Sequence, residues 1–195
     1  MAQKDYYQAS TFDIAETAMT YSSSSGAGFA TAGVMQYFRL DYPVPSATQS
    51  LNGYISILWG KGTGTAPTAL LGLYAATSTK LYQLGTVANI GGNASALLRS
   101  QITFVSNNVV LAPYNVLYGA YLLVTDSGTN HSDVGRSATY ATNYALSSLI
   151  GADQTGDGQY ARAFTGAGTG LTALPTTEAL SGVTNAGYLC WMAID

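Results

Sequence analysis

From Val34 onward, β-branched and aromatic residues gather in short runs, each broken by Gly, Pro, Asn or Ser, and this punctuation is the period of strands. It predicts strands over Met35–Tyr42, Gly53–Trp59, Leu70–Ala75, Lys80–Leu84, Leu98–Phe104, Val109–Leu111, Val116–Thr125 and Gly187–Ile194. In the second run, Tyr54, Ser56 and Leu58 fall on one face and Ile55, Ile57 and Trp59 on the other, so one face belongs in a core. Turn chemistry agrees. Gly60-Lys61-Gly62-Thr63-Gly64 and Gly91-Gly92-Asn93 admit positive φ without steric cost, and Asn107-Asn108 joins two runs as a tight hairpin does. The expected fold is all-β, an antiparallel, jelly-roll-like β-sandwich over residues 34–195 behind an extended N-terminal arm.

That arm is residues 1–33. Its polar start and its Ser22-Ser23-Ser24-Ser25-Gly26-Ala27-Gly28 run hold no sustained period. Tyr6, Tyr7, Phe12 and Ile14 nevertheless carry apolar area that a free tail would waste, so they are the expected assembly contacts, docking the arm to a partner subunit. The alternative is a short helix over Asp13–Met19, capped by Thr11 or Asp13 and packed on its own domain. Between Asp126 and Ala186, small polar residues separate isolated tyrosines, the composition of long loops. A short helix over Tyr140–Ile150 fits the spacing of Ala141, Ala145 and Leu149.

With 195 residues, the chain has the size of one domain able to form a core without disulfide staples, and its single cysteine, Cys190, excludes an intrachain one. Leu189, Trp191 and Met192 around that cysteine make it a buried hydrophobe rather than a reactive thiol. Only 9% of residues are charged, against a typical ~25%. Seven basic and ten acidic side chains leave a net charge of -3, without the basic excess that nucleic acid demands. No run approaches the ~18 apolar residues of a membrane span, and Met1–Gln8 lacks the layout of a signal peptide, so no membrane insertion is expected.

Catalytic chemistry finds little footing. His131, the only histidine, lies in a polar stretch with no Gly-x-Ser-x-Gly elbow in the chain, and beside one cysteine it builds no ordinary zinc site. Glycoside hydrolysis needs two placed carboxylates, and nothing selects a pair from two glutamates and eight aspartates. Gly60-Lys61-Gly62-Thr63 lacks the hydroxyl residue after lysine and the earlier glycine of a phosphate loop. Asp153-Gln154-Thr155-Gly156-Asp157-Gly158 lacks the closing glutamate of a calcium loop. The expectation is a protein that is not an enzyme, with no metal and no cofactor.

Tyrosine remains, 15 of them, more than a sandwich core readily uses because every buried hydroxyl needs a partner. Many are therefore expected at surfaces and interfaces, where a flat apolar ring with a polar tip suits sugars and proteins alike. Tyr140, Tyr144 and Tyr160 are the candidate contacts to a glycan or a partner.

Several segments carry a resemblance. Ala69-Leu70-Leu71-Gly72-Leu73-Tyr74, Lys80-Leu81-Tyr82-Gln83-Leu84-Gly85, Val109 to Tyr121, Leu174-Pro175-Thr176 and Tyr188 to Asp195 resemble the β-sandwich domain of actinobacteriophage minor tail and other virion appendage proteins. The resemblance covers residues 35–195. It implies a non-enzymatic protein of the virion exterior, made in the host cytoplasm, that contacts other virion proteins. On that basis the expected function is that of a bacteriophage virion structural protein, an exterior appendage anchored by its arm and touching a host cell-surface glycan. The alternative is a capsid decoration protein that stabilises the shell without binding a receptor. Both imply a homo-oligomer, a trimer or pentamer matching the common virion axes.

Overall fold

The computed structural model describes residues 9–10, 31–40, 49–51, 54–61, 68–76, 80–87, 98–103, 109–111, 116–125, 132–134, 163–185 and 192–194. They form fourteen strands: β1 (Ala9–Ser10), β2 (Met35–Leu40), β3 (Gln49–Leu51), β4 (Tyr54–Lys61), β5 (Thr68–Ala76), β6 (Lys80–Val87), β7 (Leu98–Thr103), β8 (Val109–Leu111), β9 (Val116–Thr125), β10 (Ser132–Val134), β11 (Ala163–Thr165), β12 (Thr177–Ala179), β13 (Thr184–Asn185) and β14 (Met192–Ile194). A single 3-10 turn, Leu180–Gly182, is the only helical element among the described residues. Every pairing is antiparallel, and the fold is all-β as the punctuated runs predict.

Each of the eight predicted runs contains a strand. The six unpredicted strands are two or three residues long, too short for alternation to register. The two helices weighed, Asp13–Met19 and Tyr140–Ile150, lie outside the described residues, as do the three glycine and asparagine turns beyond Gly60 and Lys61. So do the side chains of β4, where the alternation was read.

A seven-stranded sheet, in the order β12-β6-β5-β9-β2-β11-β13, organises the molecule. Its central strands are buried on both faces, which is why β2, β5 and β9 read as nearly continuous apolar runs. Register sets the faces: Tyr37 pairs with Ala120, Tyr74 with Tyr118 and Met35 with Leu122, so these residues share one face with Phe164 and Leu81. The opposite face carries Phe38, Leu40, Leu71, Leu73, Leu117, Tyr121 and Leu123, all buried.

A second sheet places β14 and β10 end to end along one side of β4 and β7 along the other. It meets the first where Met192 of β14 lies on Gly119 of β9. A Cβ at Gly119 would stand 2.6 Å from the Met192 sulfur, so a side chain there displaces the end of Met192. β3 and β8 form a separate two-stranded ladder.

The segment read as an arm is tied to the chain's own sheets at two points. Ala9 and Ser10 pair with Ile194 and Ala193, and Gly33 donates its N–H to the Leu123 carbonyl at 2.7 Å. Gly33 has a φ of 77°, and its Cβ position is filled by the Gly170 backbone, 2.7 Å from Gly170 Cα. Leu171 N–H bonds the Gly33 carbonyl in turn, so two backbones touch where Gly33 leaves no room for a side chain.

Candidate functional site

The polar chemistry of the described residues concentrates on the first face of the seven-stranded sheet, under the segment running from Gly166 to Val183. That segment enters from β11 with a bond from Gly166 N–H to the Met35 carbonyl and crosses over the sheet. It rejoins as β12, where Gln83 N–H bonds the Thr176 carbonyl. Leu171, Leu174, Leu180 and Val183 press on the aromatic cluster below, so the crossing is held by apolar burial.

Beneath it lies a ring stack. Tyr37 stacks on Phe164 at 4.9 Å between centroids, Tyr74 meets Tyr37 edge-on at 5.3 Å, and Tyr118 meets Phe164 at 5.1 Å. Two of the buried hydroxyls show how they are satisfied: Tyr37 donates to Glu178 Oε2 at 3.3 Å, and Tyr74 donates to the Pro175 carbonyl at 2.7 Å. Gln83 Nε2 donates to the Tyr74 oxygen at 3.4 Å. Glu178, 8% exposed, uses its other oxygen to accept the Ala167 N–H at 3.0 Å. In β12 it is the one buried residue between exposed Thr177 and Ala179, the side chain that a strand must turn inward.

Burial drives the Tyr37 hydroxyl far above the ordinary tyrosine range, with the neighbouring Tyr74 and the Glu178 carboxylate adding to the shift. Tyr74 is raised chiefly by burial as well, against a lowering hydrogen bond from Gln83. Both phenols are therefore locked as neutral donors. An arrangement in which both carboxylate oxygens already accept bonds and both phenols keep their protons fastens the crossing segment to the sheet rather than moving protons. No group of three or more metal-binding side chains occurs among the described residues.

The exposed counterpart is at the sheet edge. Tyr82 pairs with Thr177 across the β6–β12 ladder and stands 39% exposed, with the Lys80 ammonium 4.8 Å from its ring centroid. It is the only large exposed hydrophobic among the described residues.

The residues singled out from sequence fall elsewhere. Tyr140, Tyr144 and Tyr160, and Tyr6, Tyr7, Phe12 and Ile14, lie outside the described residues, as do His131, Cys190 and the Asp153–Gly158 stretch. The side chains of ten of the 15 tyrosines lie outside the described residues, and of the other five Tyr82 is exposed while Tyr37, Tyr74, Tyr118 and Tyr121 are wholly buried. The core accepts them because a carboxylate and a backbone carbonyl are folded in to meet Tyr37 and Tyr74. Glu178 had one faint signal, as one of only two glutamates in the chain, standing in a run of otherwise uncharged residues.

Compared with family models, with curated proteins and with solved structures, the chain matches none.

Proposed function

We propose that this chain is a bacteriophage virion structural protein, an exterior appendage of the tail or head, held to the particle through its N-terminal segment and touching the host surface. The observation that carries the reading is the seven-stranded sheet, whose central strands are buried on both faces and whose covering segment is fastened by Tyr37 against the Glu178 carboxylate and by Tyr74 against the Pro175 carbonyl. A core of this kind suits a particle surface, and the chain's low charge suits the large apolar contacts of obligate assemblies. In this reading the second sheet closes over the first as a β-sandwich, beginning at Met192 on Gly119. The resemblance of residues 35–195 to virion appendage domains points the same way. The protein is a non-enzymatic homo-oligomer with neither cofactor nor metal, and its host contact is a surface glycan.

Binding of the assembled protein to host cells and to their isolated wall polysaccharide tests this function. Retention on both is expected, and no retention on either contradicts it. A capsid decoration protein is the second reading, favoured by the backbone ties that hold Ala9, Ser10 and Gly33 of the N-terminal segment to the sheets. There, deletion of residues 1–33 releases the protein from particles while leaving host cells unbound in either form.

A further inference from the structure

Arg39 sits one step past the aromatic stack, on the same face of β2 as Tyr37 and directly across from Tyr118 on β9. The ladder on its other flank stops short: β11 pairs with Gln36, Tyr37 and Phe38. Part of the residue reaches solvent, yet its Nη1 is buried and bonds no acceptor among the described residues. A buried donor without a partner marks a place where an acceptor belongs. The described carboxylates do not supply one. Glu178 is engaged by Tyr37 and Ala167, and Asp133 belongs to β10 of the other sheet.

We infer that Arg39 anchors a binding site for a carboxylate-bearing ligand, specifically a sugar acid. The charge requirement follows from Arg39 itself, since the planar guanidinium fork matches the two oxygens of a carboxylate. The sugar rests on the host-glycan reading above. The bound carboxylate meets the guanidinium from its solvent side and draws the fork round to share Nη1.

The test is thermal unfolding of the full chain with glucuronate, with glucose as the neutral control, on the parent and on Arg39→Met and Arg39→Lys. Glucuronate is expected to raise the parent's Tm by ~5 °C at about a hundredfold excess over its Kd, while glucose does nothing. Arg39→Met is expected to start at an equal or higher Tm, because an unpaired buried charge is gone, and to ignore glucuronate. Arg39→Lys keeps the charge without the fork and is expected to lose most of the response. A lower Tm for Arg39→Met, with a parent indifferent to glucuronate, overturns the site and makes Arg39 a structural residue. Loss of self-association by Arg39→Met in sedimentation, again without a glucuronate response, assigns the acceptor to a second copy and overturns it equally. Host-cell binding that persists without any glucuronate response sinks the site alone, whereas a glucuronate response without host-cell binding sinks the host-surface reading.

Discussion

Tyr37 and Glu178 meet through a 3.3 Å hydrogen bond although 141 positions separate them in the chain. The bond joins a central strand to an edge strand, and the same carboxylate holds the Ala167 N–H, so one side chain secures both ends of the segment covering the first face.

Removing that carboxylate leaves the buried Tyr37 hydroxyl and the part-buried Ala167 N–H without their acceptor. Glu178→Ala is expected to cost about 3 kcal/mol in urea unfolding, and Glu178→Gln about 1 kcal/mol, since the amide still offers one acceptor. Hydrogen exchange at Ala167 and Leu171 should rise in step. Unchanged stability in both variants would show that the crossing is held by its leucines alone.

Alkaline pH acts on the same cluster. Tyr37 and Tyr74 titrate above their ordinary value of 10.0 when folded, so the unfolded chain gives up protons that the folded chain retains. Their contribution is complete below pH 10 and is lost as pH climbs beyond it. Urea midpoints are expected to hold steady from pH 7 to 9 and to fall from pH 10 upward, with tyrosinate absorbance from these two rings appearing only as the protein unfolds. Tyrosinate from Tyr37 in a still-folded protein would contradict the burial, and Tyr37→Phe identifies its share of the signal.

The sequence makes the strands legible and the fastening illegible, for a physical reason. Runs such as Val116–Thr125 announce themselves because β-branched and aromatic residues recur through them, whereas Thr177-Glu178-Ala179 reads as polar turn material until tertiary contacts bury its one charged residue. The partners of Tyr37 and Tyr74 are hidden from the sequence in the same way. Composition counts hydroxyls in need of partners, and only the fold can bring Glu178 and the Pro175 carbonyl to them. The change of period near residue 33 is legible, but the bond from Gly33 to Leu123 involves backbone alone and leaves no mark in sequence.

Gly33 and Gly170 separate two roles of glycine. Both have positive φ, yet a Cβ at Gly33 would strike the Gly170 backbone, while one at Gly170 meets nothing within 4 Å. Gly170→Ala should cost only the conformational strain of about 1 kcal/mol. Gly33→Ala should cost about 3 kcal/mol or more, because backbone must move. Equal losses in thermal unfolding would dispose of the close approach.

Contact between the two sheets is open to a double-mutant cycle. Gly119→Ala alone pushes on the Met192 sulfur, and Met192→Ala alone empties the space. The pair together should recover about 1 kcal/mol or more relative to the sum of the single changes. Strict additivity would mean that Met192 does not rest on Gly119.

Where this scaffold is used can be read by electron microscopy of intact phage particles labelled with antibody against residues 34–195. An appendage places the label on the particle exterior, at the tail end or at head fibres. Particles that carry no label, from a preparation in which the free protein is recognised by the same antibody, would contradict it.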